Sequence, residues 1–164
     1  MDEIYIRRSY HDGFSSLAVE DDKIKAILKA GMNAPSARNT QPWEFVVVKD
    51  RAMLEKLANS KSSGGAGACK TAAFAVIICA DDRMLNSINT GLAAENMMLA
   101  AENLDVQSLT IDIWETTEAQ INIKQWLNIP ENLTAYVMIA FGYADEKIAP
   151  NDRFIEEKIH WEKF

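Results

Sequence analysis

The chain is short of positive charge: 17 Lys and Arg stand against 24 Asp and Glu, a net charge of −7 at pH 7. That balance excludes a nucleic-acid surface, which needs a basic stripe to displace counterions from phosphate, but leaves room for local cations around one small anion. Cysteine is nearly absent. Cys69 and Cys79 are the only two, too few and wrongly spaced for a disulfide framework or zinc site, so both are expected to be reduced. His11 and His160 are the only histidines and cannot ligate a metal by themselves, so none is expected. No triad or carboxylate pair is visible. Apolar runs such as Thr71 to Ala80 are too short to span a bilayer, so no membrane partner is expected. The acidic amino end, Met1-Asp2-Glu3-Ile4, lacks the basic start and apolar core of a secretory signal, which predicts a cytoplasmic protein. The Asn132-Leu133-Thr134 sequon then has no consequence. A length of 164 residues suits a single domain over 1–164 that buries roughly two-thirds of its unfolded surface.

What is present is organised around Ala34-Pro35-Ser36-Ala37-Arg38-Asn39-Thr40-Gln41-Pro42-Trp43. Pro35 and Pro42 forbid a helix across it, because each removes a donor and pushes the preceding residue toward extended geometry. The segment is therefore irregular backbone between a predicted helix and a predicted strand. Ser36, Asn39 and Gln41 offer both donors and acceptors, as a ligand loop pinned by rigid elements would. An ordinary connector with solvated polar side chains is the alternative.

Around that loop the periodicity predicts alternating helices and strands. Met1 to Tyr10 reads as a short helix ending in Arg7-Arg8-Ser9-Tyr10-His11, either a phosphate clamp or solvated surface charge. Ile24, Ile27, Leu28 and Met32 define a helix from Glu20 to Asn33, with Glu20, Asp21 and Asp22 favourable at its positive end. A strand is expected over Glu44 to Lys49, then a helix capped by Asp50. Ser60 to Gly67 reads as a mobile loop, and the adjoining Gly64 to Thr71 resembles a P-loop only poorly, since Cys69 replaces a required glycine. Ala72 to Ala80 reads as a buried strand closed by Asp81-Asp82. Met84 to Asn103 is the longest helix, apolar nearly all round, which fits either a core helix or one packed also on a second subunit. A strand over Gln107 to Ile113 follows, then a helix opened by the capping box Thr117-Glu118-Ala119-Gln120 and running to Leu127. Thr134 to Tyr143 has the uninterrupted apolar character of a central strand. The tail beyond it carries Phe154, Ile159, Trp161 and Phe164, too apolar to lie in water at no cost, so it is expected to dock.

Four stretches in order, Arg7-Arg8-Ser9, the Ala34 to Trp43 loop, Gly142-Tyr143, and Asp152-Arg153-Phe154 through Ile159-His160-Trp161, together resemble the small FMN-dependent nitroreductase family. The resemblance spans nearly the whole chain. It implies an α+β fold, a central mostly antiparallel sheet flanked by helices, assembled as an intertwined homodimer with two FMN sites at the subunit interface. By position, Arg7, Ser9 and Arg153 would hold the phosphate, with Arg8 assisting. Pro35, Ser36, Ala37, Asn39 and Gln41 would contact the ribityl chain and flavin ring, several from the opposite subunit. The implied activity is hydride transfer from NADH or NADPH, through FMN, to a small acceptor such as a nitroaromatic or quinone. Such chemistry needs no side-chain nucleophile, because the flavin carries the difficult step. An FMN-binding protein of the same fold with little or no turnover is the alternative.

Two departures from the family pattern stand beside the implied ring site. Asp105 to Asp112 keeps only Ser108 and Ile111 of a turn that in many relatives is glycine-rich, so Gln107 or Asp112 could narrow the acceptor pocket or repel anions. His11 stands where relatives usually carry arginine or lysine near flavin N1 and the C2 carbonyl. A fixed cation there stabilises the reduced ring, whereas a histidine titrates near neutrality. Flavin reduction is therefore expected to become less favourable as pH rises through the histidine pKa. The flavin midpoint potential of His11→Lys, measured against pH, should lose that dependence; an unchanged dependence would remove the idea.

Overall fold

The computed structural model describes residues 2–62, 64–81, 83, 85–113 and 117–164. Met1, Ser63 of the predicted loop, Asp82, the predicted helix start at Met84 and the Thr117 side chain of the predicted capping box lie outside what is described. The elements are α1 (Glu3–Ile6), α2 (Asp21–Met32), β1 (Glu44–Val48), α3 (Arg51–Ala58), β2 (Phe74–Ala80), α4 (Asn86–Asn103), β3 (Gln107–Asp112), α5 (Thr117–Leu127) and β4 (Thr134–Gly142). Short 3-10 turns occupy Ala37–Asn39, Gly65–Lys70 and Glu156–Lys158.

The strands form one antiparallel sheet in the order β1-β2-β4-β3. The fold is α+β, and the two most apolar strands, β2 and β4, lie at its centre as their composition predicts. Every residue of β2 is buried because both faces of the sheet are covered. Ala75, Ile77 and Cys79 face the layer of α3, α5 and the Gly65–Lys70 turn. Phe74, Val76 and Ile78 face α2 and α4, where Phe74 stacks on Phe141 with ring centroids 4.8 Å apart. The start of α3 has a visible cause: Asp50 accepts from Met53 N at 2.8 Å, as an N-cap should. Gly31 lets α2 approach α4 closely, since a Cβ there would lie 2.7 Å from Met97 Cγ.

One expectation needs correction. The stretch Ser60 to Gly67, expected to be mobile, is packed at both ends: Ser60 and Ala66 are buried, as are the adjoining Ala68 and Cys69, and a Cβ on Gly65 would lie 2.8 Å from Leu109 Cδ2. Its small residues permit that approach, and Arg51 ties the turn down by donating to Cys69 O at 2.5 Å and Ala72 O at 3.0 Å. The tail residues Phe154, Ile159, Trp161 and Phe164, expected to dock, are all exposed within the single chain.

Burial pushes the Cys69 thiol up to about 12, against the opposing charge of Arg51, and does the same at Cys79. Both are neutral near pH 7 and unsuited to thiolate chemistry.

Gly142 closes β4 beneath Phe14, and a Cβ there would come within 2.9 Å of the Phe14 ring and 3.1 Å of its Cβ. Gly142→Ala is accordingly expected to destabilise the fold by about 1–3 kcal/mol through overpacking. Urea unfolding would read this as a lowered midpoint at unchanged slope.

Candidate functional site

The amino-terminal arginines and the carboxy-terminal one are brought together by how the chain leaves β4. Ser15 N donates to Tyr143 O at 2.7 Å, and Phe14 pairs with Ala144, so the amino-terminal arm runs beside the start of the tail. Buried Gln107 accepts from Ala144 N through Oε1 at 2.9 Å. Lys147 pairs with Asp105 at 2.5 Å, and the hydroxyl of buried Tyr10 accepts from Ile148 N at 3.0 Å. These ties return the tail past α1. There Arg7, Arg8 and Arg153 line one cavity of about 520 Å³, together with Ile4, Tyr5 and Pro150 to Asp152. Asp152 accepts from Phe154 N at 3.0 Å, which shapes the turn that presents Arg153. Arg7 Nε also lies 3.7 Å from Glu95 of α4.

The proline-bounded loop leans on the other end of the same helix. Its ends are sunk in the core through Ala34 and Trp43. Between them Ser36 Oγ accepts from Gln41 N at 2.9 Å, and Ala37 N donates to Asn89 Oδ1 at 3.0 Å. Asn89 donates in turn to Asn86 Oδ1 at 3.1 Å, and Asn86 donates to Asp81 Oδ1 at 2.6 Å. Asn86, Asn89 and Thr90 are buried. The network holds Arg38, Asn39 and Gln41 at φ of 56°, 55° and 47°, conformations L residues adopt only when their surroundings compel them. Pro35, Asn39 and Gln41 are exposed, and Ser36 and Ala37 are half-buried. Arg83, whose guanidinium lies 2.7 Å from Asp81, holds that carboxyl below the usual carboxylate range.

The two residue groups thus stay apart within one chain. The arginine cavity shares no lining residue with the cavity of about 360 Å³ beside the loop, lined by Ala37, Arg38, Thr40, Arg83, Leu85, Asn86 and Asn89. Ser9 is exposed, its backbone bridging Ser108 in parallel, while Tyr10 N donates to Ser108 O at 3.1 Å. His11 is exposed just beyond. Asp112 is exposed at the far end of β3, and its carbonyl accepts from Lys61 Nζ at 2.6 Å. Sequence reasoning missed Asn86, Asn89, Tyr10 and the tail-holding role of Gln107. A signal existed for the asparagines, which recur at helical spacing in an otherwise apolar segment.

Comparison with known proteins follows the same pattern. A model of the Nitroreductase family matches residues 4–72 and 66–143. A protein of Archaeoglobus fulgidus, provisionally named NADH dehydrogenase/NAD(P)H nitroreductase, is 36% identical over 98% of this chain and 96% of its own. The FMN-dependent nitroreductase of Clostridium difficile R20291 superposes with a TM-score of 0.94 at 28% identity, across 99% of this chain and 98% of that one. A protein of Desulfovibrio desulfuricans, provisionally named a nitroreductase and solved in complex with FMN, superposes with a TM-score of 0.82 at 25% identity, across 99% and 96%. The chain belongs to the nitroreductase family, an oxidoreductase family by the names its members carry.

Asn89→Leu keeps the side-chain size but leaves the Ala37 amide without its partner, and should cost about 1–3 kcal/mol in urea unfolding. Acid should loosen the same anchor. Because the folded Asp81 value is depressed, its stabilising contribution is present above about pH 4 and is lost as pH falls through the lower folded value.

Proposed function

We propose that the protein is an FMN-dependent oxidoreductase, working in the cytoplasm as an intertwined homodimer, that passes a hydride from NADH or NADPH to a nitroaromatic, quinone or similar small acceptor. The observation that carries this reading is the convergence of Arg7, Arg8 and Arg153, drawn from both ends of the chain, on one cavity. Guanidinium forks match phosphate oxygens bidentately, and three of them in a chain of net charge −7 are a local exception with an obvious anionic occupant.

The residues present fit FMN. Arg7 and Arg153, with Arg8 assisting, would hold the phosphate, and Ser9 would add a hydroxyl. Pro35, Ser36, Ala37, Asn39 and Gln41 would contact the ribityl chain and ring, with Asn39 and Gln41 free to turn toward a ligand. His11 would lie near the N1 and C2 carbonyl edge. Bound FMN would supply the hydride chemistry, so the chain's own task is to bind, orient and exclude water. A homodimer accounts for two features at once: the loop and the arginines lie in separate cavities of one chain, and exposed apolar groups sit on both α4 and the tail. Ile88 and Leu92 follow one another on α4, and Trp161 is 83% exposed.

Purified protein should be yellow, elute as a dimer, and bleach on anaerobic addition of NADH or NADPH. Flavin that binds but does not bleach with either donor would leave a flavin-holding protein and remove the reductase. Arg7→Ala with Arg153→Ala should weaken FMN by roughly a hundredfold or more, from two lost charge-assisted contacts. Stoichiometric flavin retained through purification would show the phosphate assignment wrong.

A further inference from the structure

The arginine pair on the loop cavity is not needed by the reading above. Arg38 and Arg83 line that cavity together with Thr40, Asn86 and Asn89. Arg38 makes no ion pair or hydrogen bond among the described residues, and its backbone is held at φ 56° by the loop's own ties. Leu85, which also lines the cavity, is held at φ 75°. Arg83 does have a partner, Asp81 Oδ2 at 2.7 Å, yet its side chain remains 66% exposed. The pairing fixes one edge of the guanidinium while the rest of the group stays accessible at the cavity. Asp81 is the acidic residue bound there, and its Oδ1 is engaged by Asn86.

Two guanidiniums on one cavity of about 360 Å³ suit a phosphate oxyanion. In the reading above, the FMN phosphate is held by Arg7, Arg8 and Arg153, and the loop of the opposite protomer meets only the ribityl chain and ring, which leaves Arg38 and Arg83 without a phosphate of their own. A second phosphate site implies a second phosphorylated ligand, and the reaction has one, the nicotinamide donor. Ala37 lines this cavity and belongs to the loop proposed to touch the flavin ring, so a donor anchored here would keep its remaining length beside that loop.

We infer that the Arg38–Arg83 cavity binds a phosphate of the nicotinamide dinucleotide donor and sets donor affinity. This rests on the reductase reading. Two phosphates could be the one recognised: the pyrophosphate common to both donors, or the 2′-phosphate of NADPH alone.

The test uses FMN-loaded protein and two variants, Arg38→Gln and Arg83→Lys, the second preserving the charge that faces Asp81. Arg38→Gln should raise the donor KM roughly 10- to 100-fold, the worth of one charge-assisted contact, with flavin content unchanged and kcat moved much less. Arg83→Lys should raise it by a smaller factor, since charge survives without the fork. A rise for both donors identifies the pyrophosphate, and a rise for NADPH only identifies the 2′-phosphate. Donor KM values within twofold of the wild type in both variants, in yellow protein that the donors reduce, would overturn the inference. Failure of the underlying reading looks different: the flavin is absent or neither donor bleaches it. In that event calorimetric titration with inorganic pyrophosphate and with 2′-AMP decides. Binding abolished by Arg38→Gln supports the anion site, and no binding to the wild type overturns it.

Discussion

The structure depends on α4 lying against the sheet closely enough for its small residues to disappear. Ala93, Ala94, Met97 and Ala101 are buried on that side, and Gly31 lets α2 close over Met97. A bulkier seam would hold the helices apart, and each missing contact would forfeit dispersion energy that packed interiors cannot recover elsewhere. The geometry has a functional result. Because α4 is fixed so firmly, Asn89 at one end and Glu95 further along become reliable supports, one for the proline-bounded loop and the other beside Arg7.

Strain in the loop makes sense in those terms. Several L residues held in the left-handed region of backbone space are individually unfavourable, and only an over-determined surrounding keeps them there. Asp81, Asn86 and Asn89 supply it through a relay of hydrogen bonds that is largely buried and so shielded from competing water. The arginine cavity is supported differently. Its members come from opposite ends of the chain, and the support is a seam of backbone and side-chain bonds from Tyr10, Phe14 and Ser15 to the first residues after β4.

Much of this could be read in the letters. The helix over Ile24 to Met32, the N-cap at Asp50 and the alternation in β3 appeared where their periods placed them, because each reports a local balance of burial and backbone satisfaction. The resemblance carried by Arg7, the Ala34 to Trp43 loop and Arg153 agrees with the family the comparisons establish. Where reading failed, the cause was non-local. Glycine and serine after Ser60 looked like slack chain, yet smallness is also what close packing under Leu109 requires, and composition cannot separate the two. Asn86 and Asn89 were passed over because their bonds to Asp81 and Ala37 form only once the chain folds.

The amino-acid order by itself determined which segments are strand or helix, which strands are central, and which residue types are available to grip an anion. Those follow from period, burial and charge, all properties of neighbouring residues. Only the tertiary structure decided that Arg153 returns to Arg7 and Arg8, that Arg38 and Arg83 face a cavity of their own, and that the loop hangs from α4. Such pairings join positions far apart in the chain, and they are selected by the packing of the whole sheet and its helices rather than by any local preference.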